Sequence, residues 1–301
     1  MRRSPRGLRG RSRSSRSPTA RLVTAAAIYL TALGTTQLAA QESAALSARI
    51  TASAARLQSF TLFDSSYHRP RQIWIYTPAD YASHPTQTYP LLVAFDGDEY
   101  RDTMPLPFIL DTLGTKGRAP AFVAVLVDDG SGPVRIADLG NAHKMIDFLA
   151  AQLVPWVRAH YRVTRDPSRV IITGSSAGGL ASAFVALERP DLFGNVLSQS
   201  GAFWRGAEAS NDPPYEWLTG EVARRPRRAV RFFLDVGALE SRGALGGAAP
   251  SIRDANRHLR DALVTKGYAV TYTEVPGGQH APEFWRMRLP VGIVTLTAGW
   301  Q

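Results

Sequence analysis

The sequence predicts an α/β fold, with a mostly parallel central sheet and helices on both faces. Three observations carry this. Short apolar runs such as Leu91–Phe95 lack polar alternation, as expected of strands buried on both faces. Apolar residues at helical spacing separate these runs. A glycine-rich turn, 174–179, joins one run directly to a helix.

Taken in chain order, residues 1–40 read as an export leader. Residues 1–21 are rich in Arg, Ser, Pro and Gly, Leu22 to Leu33 are mostly apolar or small, and the segment ends at Ala39-Ala40. Basic, then apolar, then small is the layout of a secretory signal. The apolar stretch is short for a membrane span, which needs about 20 residues. An uncleaved anchor is the alternative; cleavage near Ala40 would leave no stable membrane insertion. Residues 41–58 are Ala-rich and predict a linker or short helix. Residues 59–301 form the catalytic domain of this reading, and their number suits a single core.

Within that domain Gln72–Thr77 alternates like a half-buried strand. Leu91–Phe95, Ala121–Val127, Val170–Thr173, Val196–Ser198, Val230–Val236 and Val270–Val275 complete the strand set. Met145, Leu149, Leu153, Trp156 and Val157 mark a helix that Pro155 should kink or split. Leu180, Phe184 and Leu187 mark the helix after the glycine turn. Leu259 and Leu263 mark another, ending near Gly267. Ala244–Pro250 reads as a small-residue loop.

Charge argues against nucleic acid as a partner. The net charge is +10, but eight arginines and no acid precede residue 41, leaving 27 basic against 25 acidic residues. A near-neutral body has no basic stripe to release phosphate counterions. The absence of cysteine excludes disulfides, thiolate metal sites and a thiol nucleophile. It also suits an oxidising compartment, consistent with a periplasmic or secreted location.

The most informative stretch runs Val170-Ile-Ile-Thr-Gly174-Ser175-Ser176-Ala177-Gly178-Gly179-Leu180. It sets Gly-x-Ser-x-Gly between a buried strand and an apolar helix, the nucleophile elbow of the α/β-hydrolase fold. Side chains two positions either side of Ser176 would collide, so both positions are glycine. The Ser176 hydroxyl then projects above the sheet edge. The Ala177 N–H, at the helix N-terminus, is placed to stabilise an oxyanion. Ser175 is the rival nucleophile, but Thr173 and Ala177 flank it where glycine is needed.

A serine hydroxyl needs a base to take its proton. In this fold the acid and then the base follow the nucleophile. Only His258 and His280 follow Ser176. His258 lies inside a helical pattern, whereas His280 follows a strand and the turn Pro276-Gly277-Gly278-Gln279, so His280 is favoured. The acid should follow a strand between the two. Glu240, just after Val230–Val236, is favoured, with Asp235 and Asp254 as rivals.

From about Phe60 to Trp300 the chain resembles the putative esterase family, and within it the enterochelin esterase branch. Leu91 to Asp98, Arg135 to Arg158, Gly174 to Trp204 and Tyr268 to Arg286 carry the resemblance. It implies that Ser176 is the nucleophile, Glu240 the acid and His280 the base. It also implies that the backbone N–H of Asp98 is the second oxyanion donor. The family usually reads Gly-Gly-His-Asp where this chain reads Gly277-Gly278-Gln279-His280-Ala281. Full enterochelin esterases carry a separate N-terminal domain, for which this chain has no room, so it is expected to resemble their shorter exported relatives.

The expected activity is serine ester hydrolysis through an acyl-enzyme, without metal or cofactor, on a small-molecule ester. By resemblance the ester is a siderophore trilactone. Trp204 and Arg205, with Arg101 nearby, are candidate contacts for a large aromatic anion; the alternative is that Trp204 packs over the sheet. The alternative activities are a feruloyl or acetyl carbohydrate esterase and an acyltransferase. The non-enzyme alternative is an inactive hydrolase-fold binding protein.

Overall fold

A computed structural model describes residues 39–140 and 142–300. All but the last two residues of the expected leader lie outside this range. Residues 39–54 are helical (α1). Among the described residues no helix is long and apolar enough to cross a membrane.

From Ile50 onward the chain builds one eight-stranded sheet. Its strands are β1 (Leu57–Asp64), β2 (Arg69–Tyr76), β3 (Leu91–Ala94), β4 (Val123–Val127), β5 (Val170–Ser175), β6 (Asn195–Gln199), β7 (Arg231–Gly237) and β10 (Ala269–Val275). Their spatial order is β1-β2-β4-β3-β5-β6-β7-β10. β1 pairs antiparallel with β2, and β2 antiparallel with β4; every other pair is parallel. This is an α/β-hydrolase fold, as the alternation of strands and helices predicts.

The apolar runs form central strands because both of their faces are covered. Leu91, Val93, Val170, Ile172, Phe232 and Leu234 belong to one core. It is closed by α4 (Gly132–Gly140), α5 (Ala142–Phe148), α6 (Val154–His160), α7 (Ala177–Glu188), α8 (Trp217–Arg224) and α9 (Ile252–Thr265). Leu92, Ala94, Ile171 and Phe233 point the other way, against α3 (Leu106–Thr115) and α10 (Pro282–Thr297). Each such fully buried Leu, Ile, Val or Phe side chain contributes roughly 1.5–3 kcal/mol.

Two local outcomes differ from the sequence reading. The helix around Pro155 is neither simply kinked nor cut: a π-turn, Leu149–Leu153, joins α5 to α6. The Val154 N–H reaches back five residues to the Leu149 carbonyl, which places the N–H-less Pro155 in the first turn of a fresh helix. The small-residue loop at 244–250 contains a short hairpin, β8 (Gly243–Ala244) with β9 (Ala249–Ser251).

Candidate active site

The C-terminal ends of β3, β5, β7 and β10 converge at one edge of the sheet, where the parallel strands of this architecture open a crevice. β5 delivers Ser176. Its backbone sits at φ 54°, ψ −116°, a conformation L-residues avoid. Gly174 and Gly178 make this bend possible: a Cβ on Gly174 would lie 2.5 Å from the Gly178 carbonyl carbon. The bend is clasped by the strand next door, since the Ser176 N–H donates to the Gln199 carbonyl at 2.9 Å and the Ala202 N–H donates to the Ser176 carbonyl at 2.8 Å.

β7 and β10 deliver the other two side chains. The Ala238 and Leu239 N–H groups donate to the Val275 and Gly278 carbonyls, each at 3.0 Å. This stitches the loop of Glu240 to the loop of His280. Gly237 is obligatory at the seam, because a Cβ there would fall 2.4 Å from the Gly278 oxygen. His280 Nε2 lies 3.0 Å from Ser176 Oγ, and His280 Nδ1 lies 2.6 Å from Glu240 Oε2. The imidazole is partly exposed, whereas the Glu240 carboxylate is only 3% exposed. The other carboxylate oxygen, Oε1, accepts from the Ser200 hydroxyl at 2.6 Å and from the Gly237 N–H at 2.8 Å. Ser200 Oγ in turn accepts from Trp285 Nε1 at 2.9 Å, and the Trp285 ring meets the imidazole edge-on at 5.0 Å.

β3 ends in the turn Asp96-Gly97-Asp98, which opens the short helix α2 (Gly97–Asp102). Asp96 is left-handed, at φ 53°. Its carboxylate grips the Arg135 guanidinium with both oxygens, Oδ2 at 2.7 Å from Nη2. Its N–H donates to Asp129 Oδ2 at 2.8 Å. Gly97 lies flat on β4, where a Cβ would be 2.8 Å from the Val127 nitrogen. Burial pushes the carboxyls of Asp96 and Asp129 upward; Arg135 pulls the first back, while the charge of Asp96 pushes the second further. Asp129 also meets Arg71, which is held by Asp64 at 2.8 Å and Asp138 at 2.7 Å. A buried charge network therefore runs from the outer strands to this turn.

Between the Asp96–Glu99 turn, the loop 130–132, Arg135, the two elbow serines, His280 and Trp285 lies a cleft of about 320 Å³. Asp98 and Glu99 line it, and burial raises the Glu99 carboxyl above its ordinary range. Among the described residues no group of three His, Asp or Glu side chains is arranged to hold a metal ion.

Ser176, His280 and Glu240 are thus brought into one hydrogen-bonded line, with Ala177 at the first position of α7 and Asp98 lining the same cleft. The rivals take no part in this line. Ser175 is fully buried and donates to Glu99 at 3.3 Å. His258, on α9, pairs with Glu216 at 2.7 Å, and the Asp254 N–H donates to Ser251, the cap of that helix. Asp235 is buried within β7, 3.7 Å from Arg288. Trp204 is 8% exposed and packs in the core, with Arg205 over its ring at 4.8 Å. Arg205 also donates to the Ala209 carbonyl and Asn211, and Arg101 lies 4.3 Å over Trp74. None of these three lines the cleft. Sequence reading did not find Ser200, Arg135 or Asp129 as supports of the site. Ser200 and Arg135 fall inside the stretches that resemble the family, but their partners are set only by the tertiary structure.

The sequence profile described as "Putative esterase" matches residues 65–296. The chain belongs to the putative esterase family. Within that family it is similar to the iron(III) enterobactin esterase of Escherichia coli K12, 30% identical over 242 residues, which cover 77% of this chain and 54% of the relative. The chain therefore spans about half the length of the curated relatives it matches. The enterobactin esterase of Shigella flexneri superposes with a TM-score of 0.67 at 26% identity, covering 80% of this chain and 59% of that one. These matches bear out the resemblance to the enterochelin esterase branch. A ferulic acid esterase of the fungus Anaeromyces mucronatus shares the fold at a TM-score of 0.61 and 17% identity, covering 81% and 89%.

Proposed function

We propose that the chain hydrolyses carboxylic esters through an acyl-enzyme, with Ser176 as nucleophile, His280 as general base and Glu240 as the acid that orients it. The observation that carries this is the unbroken line of hydrogen bonds from Glu240 through His280 to a serine held at a strained strand-to-helix bend. His280 Nε2 takes the Ser176 proton as Oγ attacks the ester carbonyl. The carbonyl oxygen becomes an oxyanion and is received by the Ala177 and Asp98 amides. The C–O bond to the alcohol breaks, and the alcohol leaves with the proton from Nε2. Water, deprotonated by the same nitrogen, then attacks the acyl-enzyme, releasing the acid and restoring Ser176.

The relatives support a siderophore ester of the enterobactin type as substrate. The cleft supports a second reading. Asp98 and Glu99 line it, and Arg135, its one guanidinium, is already paired with Asp96. Such a wall favours an uncharged ester, as in the feruloyl or acetyl carbohydrate class, over an anionic ferric complex. The order basic, apolar, small in residues 1–40 supports export of the mature domain, which N-terminal sequencing of exported protein checks.

The test is turnover of p-nitrophenyl butyrate by the wild type and by Ser176→Ala. The variant should melt at the temperature of the wild type and lose a thousandfold or more in rate. Equal turnover by the two proteins would remove the reading, and no turnover by either would favour an inactive binding protein. Trilactone, feruloyl and acetyl esters then rank the substrate classes.

A further inference from the structure

We infer that a second basin, which has His280 in its wall as the first cleft does, receives the leaving alcohol, and that Arg242 there selects alcohols carrying a carboxylate. The inference rests on the ester hydrolysis proposed above. The basin holds about 460 Å³ and is lined by Leu239, Glu240, Arg242, Ile252, Gln279 and His280. It shares only His280 with the cleft that contains Ser176.

The chemistry assigns the two spaces. In the tetrahedral intermediate the carbon carries Ser176 Oγ, the oxyanion, the acyl chain and the alcohol oxygen. The oxyanion must point at the Ala177 and Asp98 amides. The alcohol oxygen must lie within hydrogen-bond reach of His280 Nε2, which gives it a proton in the proposed reaction. The alcohol portion therefore runs past the imidazole, into the space walled by His280 and Gln279 but not by the Asp96–Glu99 turn. The acyl chain stays in the first cleft.

The walls of these spaces differ in charge. The acyl side presents Asp98 and Glu99, with Arg135 neutralised by Asp96. On the alcohol side the one carboxylate, Glu240, is filled by His280, Ser200 and Gly237. Arg242 is exposed and has no hydrogen bond or ion pair among the described residues. Beside it Leu239 is 58% exposed, an apolar shelf continued by Ile252. A free guanidinium at the end of an apolar shelf suits a hydrocarbon or aryl group that ends in a carboxylate. An ester of a hydroxy acid, attacked at its hydroxyl end, has an alcohol portion of this kind.

The experiment compares two esters with one acyl group, 3-carboxyphenyl butyrate and 3-carbamoylphenyl butyrate, on the wild type, Arg242→Gln and Arg242→Glu. The readout is the ratio of kcat/KM for the two esters within each protein, which cancels any change in general turnover. The wild type should prefer the carboxylate about tenfold. The ratio should fall to near one in Arg242→Gln and below one in Arg242→Glu. Equal ratios in all three proteins, or a wild-type preference for the amide, would overturn the inference while Ser176-dependent hydrolysis of both esters leaves the proposed function standing. If neither ester is turned over faster than by Ser176→Ala, the proposed function fails and this inference with it.

Discussion

Glu240 is used at both of its oxygens, which makes its charge and its shape inseparable. Oε1 accepts from two donors, and Oε2 faces His280 Nδ1. In Glu240→Gln the amide NH₂ must point either at the Gly237 N–H, where two donors collide, or at Nδ1. The second arrangement forces the proton onto Nε2, the nitrogen that must accept one from Ser176. The variant should therefore keep its fold and lose about a thousandfold to ten-thousandfold in kcat with little change in KM, measured with p-nitrophenyl butyrate. A loss below tenfold would mean that the carboxylate does not set the tautomer. At this scale the sequence was informative where chemistry constrains spacing. Ser176 follows from its glycines, and Glu240 and His280 from the order of strand ends. Ser200 reaches Glu240 across 40 residues of chain and Trp285 reaches Ser200 across 85, and no local pattern signals such contacts.

The seam between the ends of β7 and β10 is what turns two strand-end loops into one device. A methyl group on Gly237 would meet the Gly278 oxygen and part the loops that carry Glu240 and His280. Gly237→Ala should cost roughly 1–3 kcal/mol of stability and a much larger share of activity. Gly277→Ala, where a Cβ meets nothing within 4 Å but φ is +69°, is the control: a similar stability cost, with activity largely kept. Thermal melts and kcat on the two variants check this, and parallel losses of activity would remove the seam's special role. The buried strands were legible because both faces are apolar. β1 was not, since it lies at the sheet edge and reads Leu-Gln-Ser-Phe-Thr-Leu-Phe-Asp, with four of its residues partly buried or buried and four exposed. The π-turn before Pro155 was legible as a disturbance but not in kind, because a kink and a re-started helix satisfy the missing N–H equally well.

Across the whole molecule, stability responds to pH through carboxyls that folding removes from water. Asp235 is 2% exposed inside β7, and burial raises its pKa to about 7, with Arg288 opposing the shift. Between pH 4 and 7 the folded chain holds a proton there that the unfolded chain has released. The contribution of Asp235 to stability therefore declines as pH rises through that window and is least favourable above it. Asp235→Asn carries no such proton. Its melting temperature relative to the wild type should climb from pH 4.5 to pH 8 and then level off; a constant difference would show that the group titrates normally. The same scale bears on the elbow. Ser176 is tied on both sides to the segment that begins with β6, and β6 lies between β5 and β7 in the interior of the sheet. A tense residue on a free loop could relax by itself, whereas this one has no private route to release. It stays cocked until neighbouring strands separate, so readiness at the reactive oxygen and integrity of the central ribbon are lost together.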